Sequence, residues 1–409
     1  AGRFTLERYW SPHFSGERTP SLHEALEELE PLLRRAIQEH MVSDVPIGCF
    51  LSGGIDSSVI AALMAEESRR QNGRPIRTFT MAFDEAAYDE SDAARVVAKH
   101  TSSEHVELRV DTRSIIERIP SLFQAFGEPF GNPTALLIDD LSRAARNHVA
   151  VALVGDGGDE VFAGYPRYEG GLLAQRYRSL PYWLRSRVLA PLASLIPESS
   201  GGRHGFRRAR EFLNGANSDD DEMYAGWVEY FSPSERAELL SLPRVPDRPI
   251  ARAYRTAPSK APLDAMQQTD LLTFLPGNLL AYGDAMSMKH ALELRLPLLD
   301  HRLIAAVGKL HPQLRFQDGK KTLLRGLASR LLPASIVRRP KRGFNPPMGG
   351  WLKGELAPLV DERLQPSRLK AIGFAPQPVA RLLDEFRSGA RDHSLKIWAL
   401  LTLEMWMSA

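Results

Sequence analysis

The spacing of hydrophobic and polar positions changes several times along the chain. "GRFTLERYW" (2–10) alternates as a strand does. "SPHFSGERTPS" (11–21) follows, with the Pro, Gly and Ser of a linker. The alternating stretch is either the last piece of an upstream domain or an ordinary edge strand. "SLHEALEELEPLLRRAIQEHM" (21–41) takes a helical period, and Ser21 followed by Glu24 has capping-box spacing. Strands then alternate with helices. "VPIGCFL" (45–51) is a continuous apolar run, the mark of a strand buried on both faces. A helix is predicted over 57–70, a strand over 76–83, a helix over 89–101 and a strand over 104–110. Helical stretches around 112–126 and 134–147 lead to another buried strand, "VAVALVG" (149–155).

This order predicts an α/β fold, a doubly wound parallel sheet covered on both faces. Ligands bind such sheets at the carboxyl ends of the strands, near a switch in strand order. From about residue 171 the strand signals fade, and 264–310, 320–332 and 376–409 read as helical. Three regions are therefore expected. Residues 1–20 are a remnant of an upstream domain with its linker, 21–170 an α/β nucleotide-binding core, and 171–409 a mostly helical C-terminal extension. "SSGGRHGFRRAR" (199–210) reads as a loop into a basic helix with a solvated face.

Composition narrows the function classes. With 409 residues, 43% hydrophobic and 25% charged, the chain is globular and long enough for more than one core. A net charge of +2 supplies no electrostatic case for nucleic acid or a membrane surface. No run of eighteen apolar residues occurs, so no membrane span is expected. The single cysteine, Cys49, lies in an apolar run and is expected as a small buried core residue rather than a nucleophile. That usage fits a reducing compartment, and a cytoplasmic location is expected.

Two stretches carry the chemistry. In "FLSGGIDSSV" (50–59) a buried strand ends in two glycines, an Asp and three serines. Glycines allow close backbone approach, and a helix N-terminus presents N–H groups to an anion, most naturally phosphate. The loop is not a Walker A motif and holds no lysine, so a metal on Asp56 must balance the charge. "VALVGDGGDEVFAGY" (151–165) also ends a strand in glycines, with Asp156, Asp159 and Glu160 crowded together. Such carboxylates repel unless a cation sits among them, and oxygen ligands favour Mg²⁺ over zinc. Together the loops imply a nucleoside triphosphate with Mg²⁺.

"SGGIDSS" resembles the PP-loop of ATP pyrophosphatases, which cleave ATP between the α- and β-phosphates. "VGDGGDEVFAGYPRY", "DAMSMKHALELRLPLLDHRL" (284–303) and "RRPKRGFNPPMGGWL" (338–352) closely resemble the synthetase domain of glutamine-dependent asparagine synthetases. The resemblance runs from about position 20 to the end. It implies an adenine nucleotide alpha hydrolase-like fold with ATP and Mg²⁺. The implied reaction adenylates a carboxylate, most simply the aspartate side chain, releases pyrophosphate, and lets ammonia displace AMP.

By match, the resemblance places Ser52, Gly53, Gly54, Asp56, Ser57 and Ser58 on the pyrophosphate and Asp56 and Asp159 on Mg²⁺. Val154 and Gly155 border the nucleotide, and Phe50 or Leu51, with Met81, flank adenine. Lys341 matches a lysine that faces the phosphates, and Asp156 stands where some members carry a glutamate near the substrate. Asp284, Glu293, Arg295 and Asp300 are expected to brace the wall by buried pairing. Two departures bear on the acceptor: Ala285, where many relatives have arginine in D-R-M-S-M, and "EPFGNPTALL" (128–137). They keep open a different acceptor, such as a sugar, a peptide or a β-lactam-forming carboxylate. A non-catalytic phosphate-binding scaffold is the remaining reading. Family members carry an N-terminal glutaminase domain that supplies ammonia; "GRFTLERYW" resembles the last strand of that domain with its linker, and the rest of it is expected to have been either left out or removed. The expected partners are the carboxylate and ammonia, with no nucleic acid and no membrane, and a homodimer stays open.

Overall fold

The computed structural model describes residues 4–71, 73–85, 88–185, 187, 212, 215, 218–241, 248–340 and 345–408. Lys341 and the basic helix expected within 199–210 lie outside the described residues. Helix α1 (Leu22–His40) begins at Ser21 with the capping box formed: Glu24 N–H donates to Ser21 Oγ, and Ser21 N–H to the Glu24 carboxylate. Its buried stripe, Leu26, Leu29, Leu33 and Ile37, packs on the sheet's helical cover.

The alternation yields β1 (Ile47–Phe50), α2 (Ile55–Gln71), β2 (Arg77–Ala82), α3 (Ser91–Thr101) and β3 (Glu104–Arg109). Then come α4 (Thr112–Glu117), α5 (Ile119–Phe126), α6 (Thr134–Ala145), β4 (Val151–Leu153), α7 (Gly158–Val161) and α8 (Pro166–Arg178). A fifth strand, β5 (Glu293–Arg295), comes from the half of the chain that reads as helical. It spans three residues, too short to show a period against the flanking helices. All pairings are parallel, in the order β3-β2-β1-β4-β5. The chain winds outward from β1 through β2 to β3, then crosses to the other side of β1 at β4. The switch point therefore lies between β1 and β4, the position where such sheets bind ligands.

Both faces of the sheet are covered. Cys49, Leu51 and Leu153 join the cluster formed with α1, α2 and α3. Phe50, Phe79, Met81, Ala152 and Val154 join the opposite cluster, with α6 and the C-terminal helices around Trp398. Cys49 is fully buried, and burial pushes its thiol up to about 12, so it stays an inert core residue.

The strand expected at 2–10 does not form over its described residues, 4–10. Residues 4–10 have no ladder partner, and Phe4, Leu6 and Tyr9 are fully exposed. Alternation supplies a strand only where an edge exists to pair with it. Among the described residues no helix is long and apolar enough to cross a membrane.

Candidate active site

The first loop leaves β1 at Leu51 and turns through Ser52-Gly53-Gly54 into α2. Gly53 has φ +74, and a Cβ there would sit 2.8 Å from the Ala94 nitrogen on α3, so only glycine fits. The serines fold the loop on itself. Ser52 N–H donates to Ser57 Oγ at 3.2 Å, Gly54 N–H to Ser52 Oγ at 3.3 Å, and Ser57 Oγ to the Gly54 carbonyl at 3.2 Å. Ser58 is fully buried, and its hydroxyl donates to the Gly54 carbonyl at 2.7 Å, which makes it a brace of the turn. Asp56 lies in the first turn of α2, where the helix dipole favours a carboxylate.

The second loop leaves β4 and presses against the first. A Cβ on Gly155 would lie 2.9 Å from the Ser57 nitrogen and 3.0 Å from Asp56 Cβ. A Cβ on Gly158 would lie 2.5 Å from Asp56 Oδ1. Gly157, at φ +88, turns the chain so that α7 starts beside Asp56 and carries Asp159 toward it.

One lysine joins the two loops. Lys321 Nζ donates to Asp56 Oδ2 and lies 2.7 Å from Asp159 Oδ1. Its side chain is only 5% exposed, against 21% for Asp56 and 18% for Asp159. Burial alone would favour the neutral amine; the charges of Asp159 and Asp56 outweigh it and hold the ammonium protonated well above its usual range. Lys321 sits at φ +60, just ahead of the helix Thr322–Ser329, and this left-handed backbone turns the side chain inward. Its neighbour Lys320 points outward to Glu169 at 2.8 Å. Room for the pair comes from Gly164, where a Cβ would meet Asp159 Oδ1 at 1.9 Å and Lys321 Cε at 2.3 Å.

Two more acids lie close to the pair. Burial, then the charges of Asp56 and Asp159, pushes the Asp156 carboxyl up to about 6. Burial, then the charge of Asp159, pushes Glu160 up to about 8, so at neutral pH it is mainly a neutral acid held to Tyr165 Oη at 2.6 Å. Behind it lies a buried network. Asp270 accepts from Tyr168 Oη at 2.5 Å, Tyr224 Oη at 2.7 Å and Arg167 Nη2 at 2.8 Å. The Arg167 guanidinium lies 3.7 Å from the Tyr165 ring centroid and 4.5 Å from that of Phe274.

The donor set suits Mg²⁺. Asp56 and Asp159 offer only carboxylate oxygens, close enough to share one cation, the Lys321 ammonium. Among the described residues no third His, Cys, Asp or Glu joins them into a metal-holding group. A metal there would be completed by phosphate oxygens and water, as Mg²⁺ commonly is.

The structure thus brings Ser52, Gly53, Gly54, Asp56, Ser57, Ser58, Gly155, Asp156 and Asp159 to one place. Phe50, Met81 and Val154 share one apolar cluster beside it, and Leu51 belongs to the opposite one. Of the bracing residues, Asp300 is buried against Arg302 and caps the helix His301–Lys309. Arg295 donates to the carbonyls of His40 and Val42. Asp284 and Glu293 are exposed instead. The stretch "GNPT" is tied to the second half of the chain: Asn132 Nδ2 donates to Asn278 Oδ1 at 2.8 Å, on the π-helical turn Leu275–Leu280. Lys321 is the residue that sequence reasoning missed. Its only local sign is a lysine pair after the Asp318-Gly319 turn at a helix start.

A parallel sheet with a glycine-serine loop at the β1 switch point and the acidic loop after β4 pressed against it defines a PP-loop α/β nucleotide-binding domain. Comparison with known proteins is specific about the kind. The family model described as asparagine synthase matches residues 28–408, and the chain belongs to that family. It is 29% identical over 411 positions to asparagine synthetase [glutamine-hydrolyzing] 1 of Bacillus subtilis, covering 100% of this chain and 63% of that protein. It is 32% identical over 410 positions to a putative asparagine synthetase [glutamine-hydrolyzing] of Mycobacterium bovis, covering 98% of this chain and 60% of that protein. A more distant relative, the amidase chyE of Penicillium rubens, is 25% identical over 406 positions, covering 90% of this chain and 59% of that protein. The chain therefore spans about three-fifths of the length of these relatives.

Proposed function

We propose that this chain is the synthetase part of an ATP-dependent amide-forming ligase. A carboxylate oxygen of the acceptor, most simply the aspartate side chain, attacks the α-phosphorus of ATP. The bond to the β-phosphate oxygen breaks and pyrophosphate leaves, giving an acyl-adenylate. Ammonia then attacks the acyl carbon, the bond to AMP breaks, and the amide forms with loss of a proton from nitrogen. The observation that carries this reading is the convergence of Asp56, Asp159 and Lys321 from three separate chain segments on one point beside the glycine loop.

The residues divide the work. The Ser52-Gly53-Gly54 turn and the hydroxyls of Ser52 and Ser57 receive the pyrophosphate, exchanging their hydrogen bonds within the loop for phosphate oxygens, while Ser58 holds the turn. Phe50, Met81 and Val154 form the apolar wall for adenine, with Leu51 and Gly155 at its edge. Asp56 and Asp159 would hold Mg²⁺, which when bound neutralises the phosphate charge. Lys321 supplies a cation for the charge that develops on the leaving pyrophosphate. Asp156, ionised at neutral pH, faces the acceptor and takes the proton released from the incoming nitrogen. Lys341 adds a second cation by its match to the family's phosphate-facing lysine. The ammonia comes from a glutaminase domain of the kind that the names of the relatives imply.

Ala285 supports a second acceptor. Where many relatives have arginine, this half-buried methyl packs in the apolar cluster with Tyr282 and Met286. An acceptor with less charge around its reacting carboxylate than an amino acid fits that wall. Pyrophosphate release from MgATP with ammonium, measured across aspartate and a panel of other carboxylates, separates the two. Release with aspartate supports asparagine formation; release only with another carboxylate keeps the chemistry and replaces the acceptor; no release with any sinks the reading.

A further inference from the structure

Lys321 occupies the position a metal would need. Its ammonium touches both carboxylates that would bind the cation and is nearly buried. The contact is built rather than incidental. The residue takes a left-handed backbone that a lysine rarely adopts, and Gly164 is pared to hydrogen where Lys321 Cε and Asp159 Oδ1 pass. Thr322 fixes the turn below it, donating to the Gly319 carbonyl at 3.0 Å and accepting from Asp318 N–H at 3.2 Å. A divalent cation arriving alone on the same oxygens would meet an ammonium at contact distance inside a partly desolvated pocket, where like charges repel strongly. A triphosphate changes that balance, because its oxygens can accept the ammonium as the carboxylates pass to the metal. Lysine, a point charge on a flexible stem, suits such a move.

We propose that Lys321 is the resident cation of the nucleotide-free site and excludes free divalent metal from Asp56 and Asp159. The metal then enters only as the metal–nucleoside triphosphate complex, and the ammonium moves onto the phosphates. This rests on the reading of the site as one for ATP and Mg²⁺. Its consequence is an obligatory entry of nucleotide and metal together, with the acid pair never left uncompensated.

Binding of Mn²⁺ alone, followed by the electron paramagnetic resonance signal of the free ion, tests it without turnover. Wild-type protein binds free Mn²⁺ weakly; Lys321→Met and Lys321→Gly bind it at least about tenfold more tightly. Glycine suits the positive φ, so the second variant keeps the backbone should the first fail to fold. Equal affinity in wild type and folded variants overturns the inference. Wild type alone gives an independent arm: millimolar Mg²⁺ leaves its unfolding midpoint unchanged, and MgATP raises it. A midpoint raised by Mg²⁺ alone overturns the inference and leaves the nucleotide site standing. A midpoint unmoved by MgATP strikes the nucleotide reading itself, and the inference with it.

Discussion

Lys321 Nζ lies 2.7 Å from Asp159 Oδ1 and also pairs with Asp56, so one side chain ties the loops after β1 and β4 together. Removing either end of the pair should destroy the site while sparing the fold. Lys321→Met and Asp159→Asn are each expected to lower pyrophosphate release at least about a hundredfold, the size of effect seen when a preorganised transition-state donor is removed. Their circular dichroism should match wild type. A variant retaining a third of the wild-type rate would take that residue out of the chemistry.

Gly164 gives a sharper probe because it has no side chain of its own to take part in the chemistry. In Gly164→Ala the new methyl carbon would lie 1.9 Å from Asp159 Oδ1 and 2.3 Å from Lys321 Cε, so the pair must shift. The cost in stability should be about 1–3 kcal/mol, the range for overpacking a tight interior. Activity should fall at least about tenfold, because small displacements at a reacting centre are expensive. Full activity in this variant would mean that the position of the pair is not critical.

Asp156 predicts a pH dependence with a definite sign. Burial and the two neighbouring carboxylates raise its pKa in the folded state to about 6. The folded protein therefore binds this proton more tightly than the unfolded chain. The stability from the neutral carboxyl is present below about pH 4 and is lost as pH rises through about 6. Asp156→Asn removes the term. In chelator, the stability of the variant relative to wild type should increase by about 1–2 kcal/mol between about pH 4 and about pH 7. Urea unfolding at both pH values measures it, and a difference that is constant or shrinks with pH contradicts the assignment.

Asp270 predicts a stability effect away from the chemistry. It is fully buried and accepts from Arg167, Tyr168 and Tyr224. Asp270→Ala leaves the Arg167 guanidinium buried without its counter-charge and should cost about 3–5 kcal/mol. Chemical denaturation checks this, and a loss below about 1 kcal/mol would show that the network contributes little.

What the sequence disclosed follows the range of the interactions. The Ser21–Glu24 box, the apolar run of β1 and the glycines after β1 and β4 act within a few residues, and each is where the local pattern puts it. The alternation at 2–10 depends on a pairing edge elsewhere, and it fails. β5 is three residues whose partner, β4, is far away in sequence, and no local period marks it. Lys321 is the clearest case. Nothing nearby separates it from Lys320, and its contact with Asp56 spans 265 positions. The motif match names Lys341, which lies outside the described residues, and the fold brings Lys321 to the acids. Fold class and acid loops were readable because strand-end chemistry is local. The cation that completes them was not, because only the folded chain makes them neighbours.

Transfer of oxygen-18 from the acceptor carboxylate tests the central claim most directly. With labelled aspartate, MgATP and ammonium, adenylation predicts one labelled oxygen in the phosphate of AMP, with pyrophosphate as co-product. Labelled orthophosphate formed with ADP, or AMP free of label, would contradict attack of the carboxylate on the α-phosphorus.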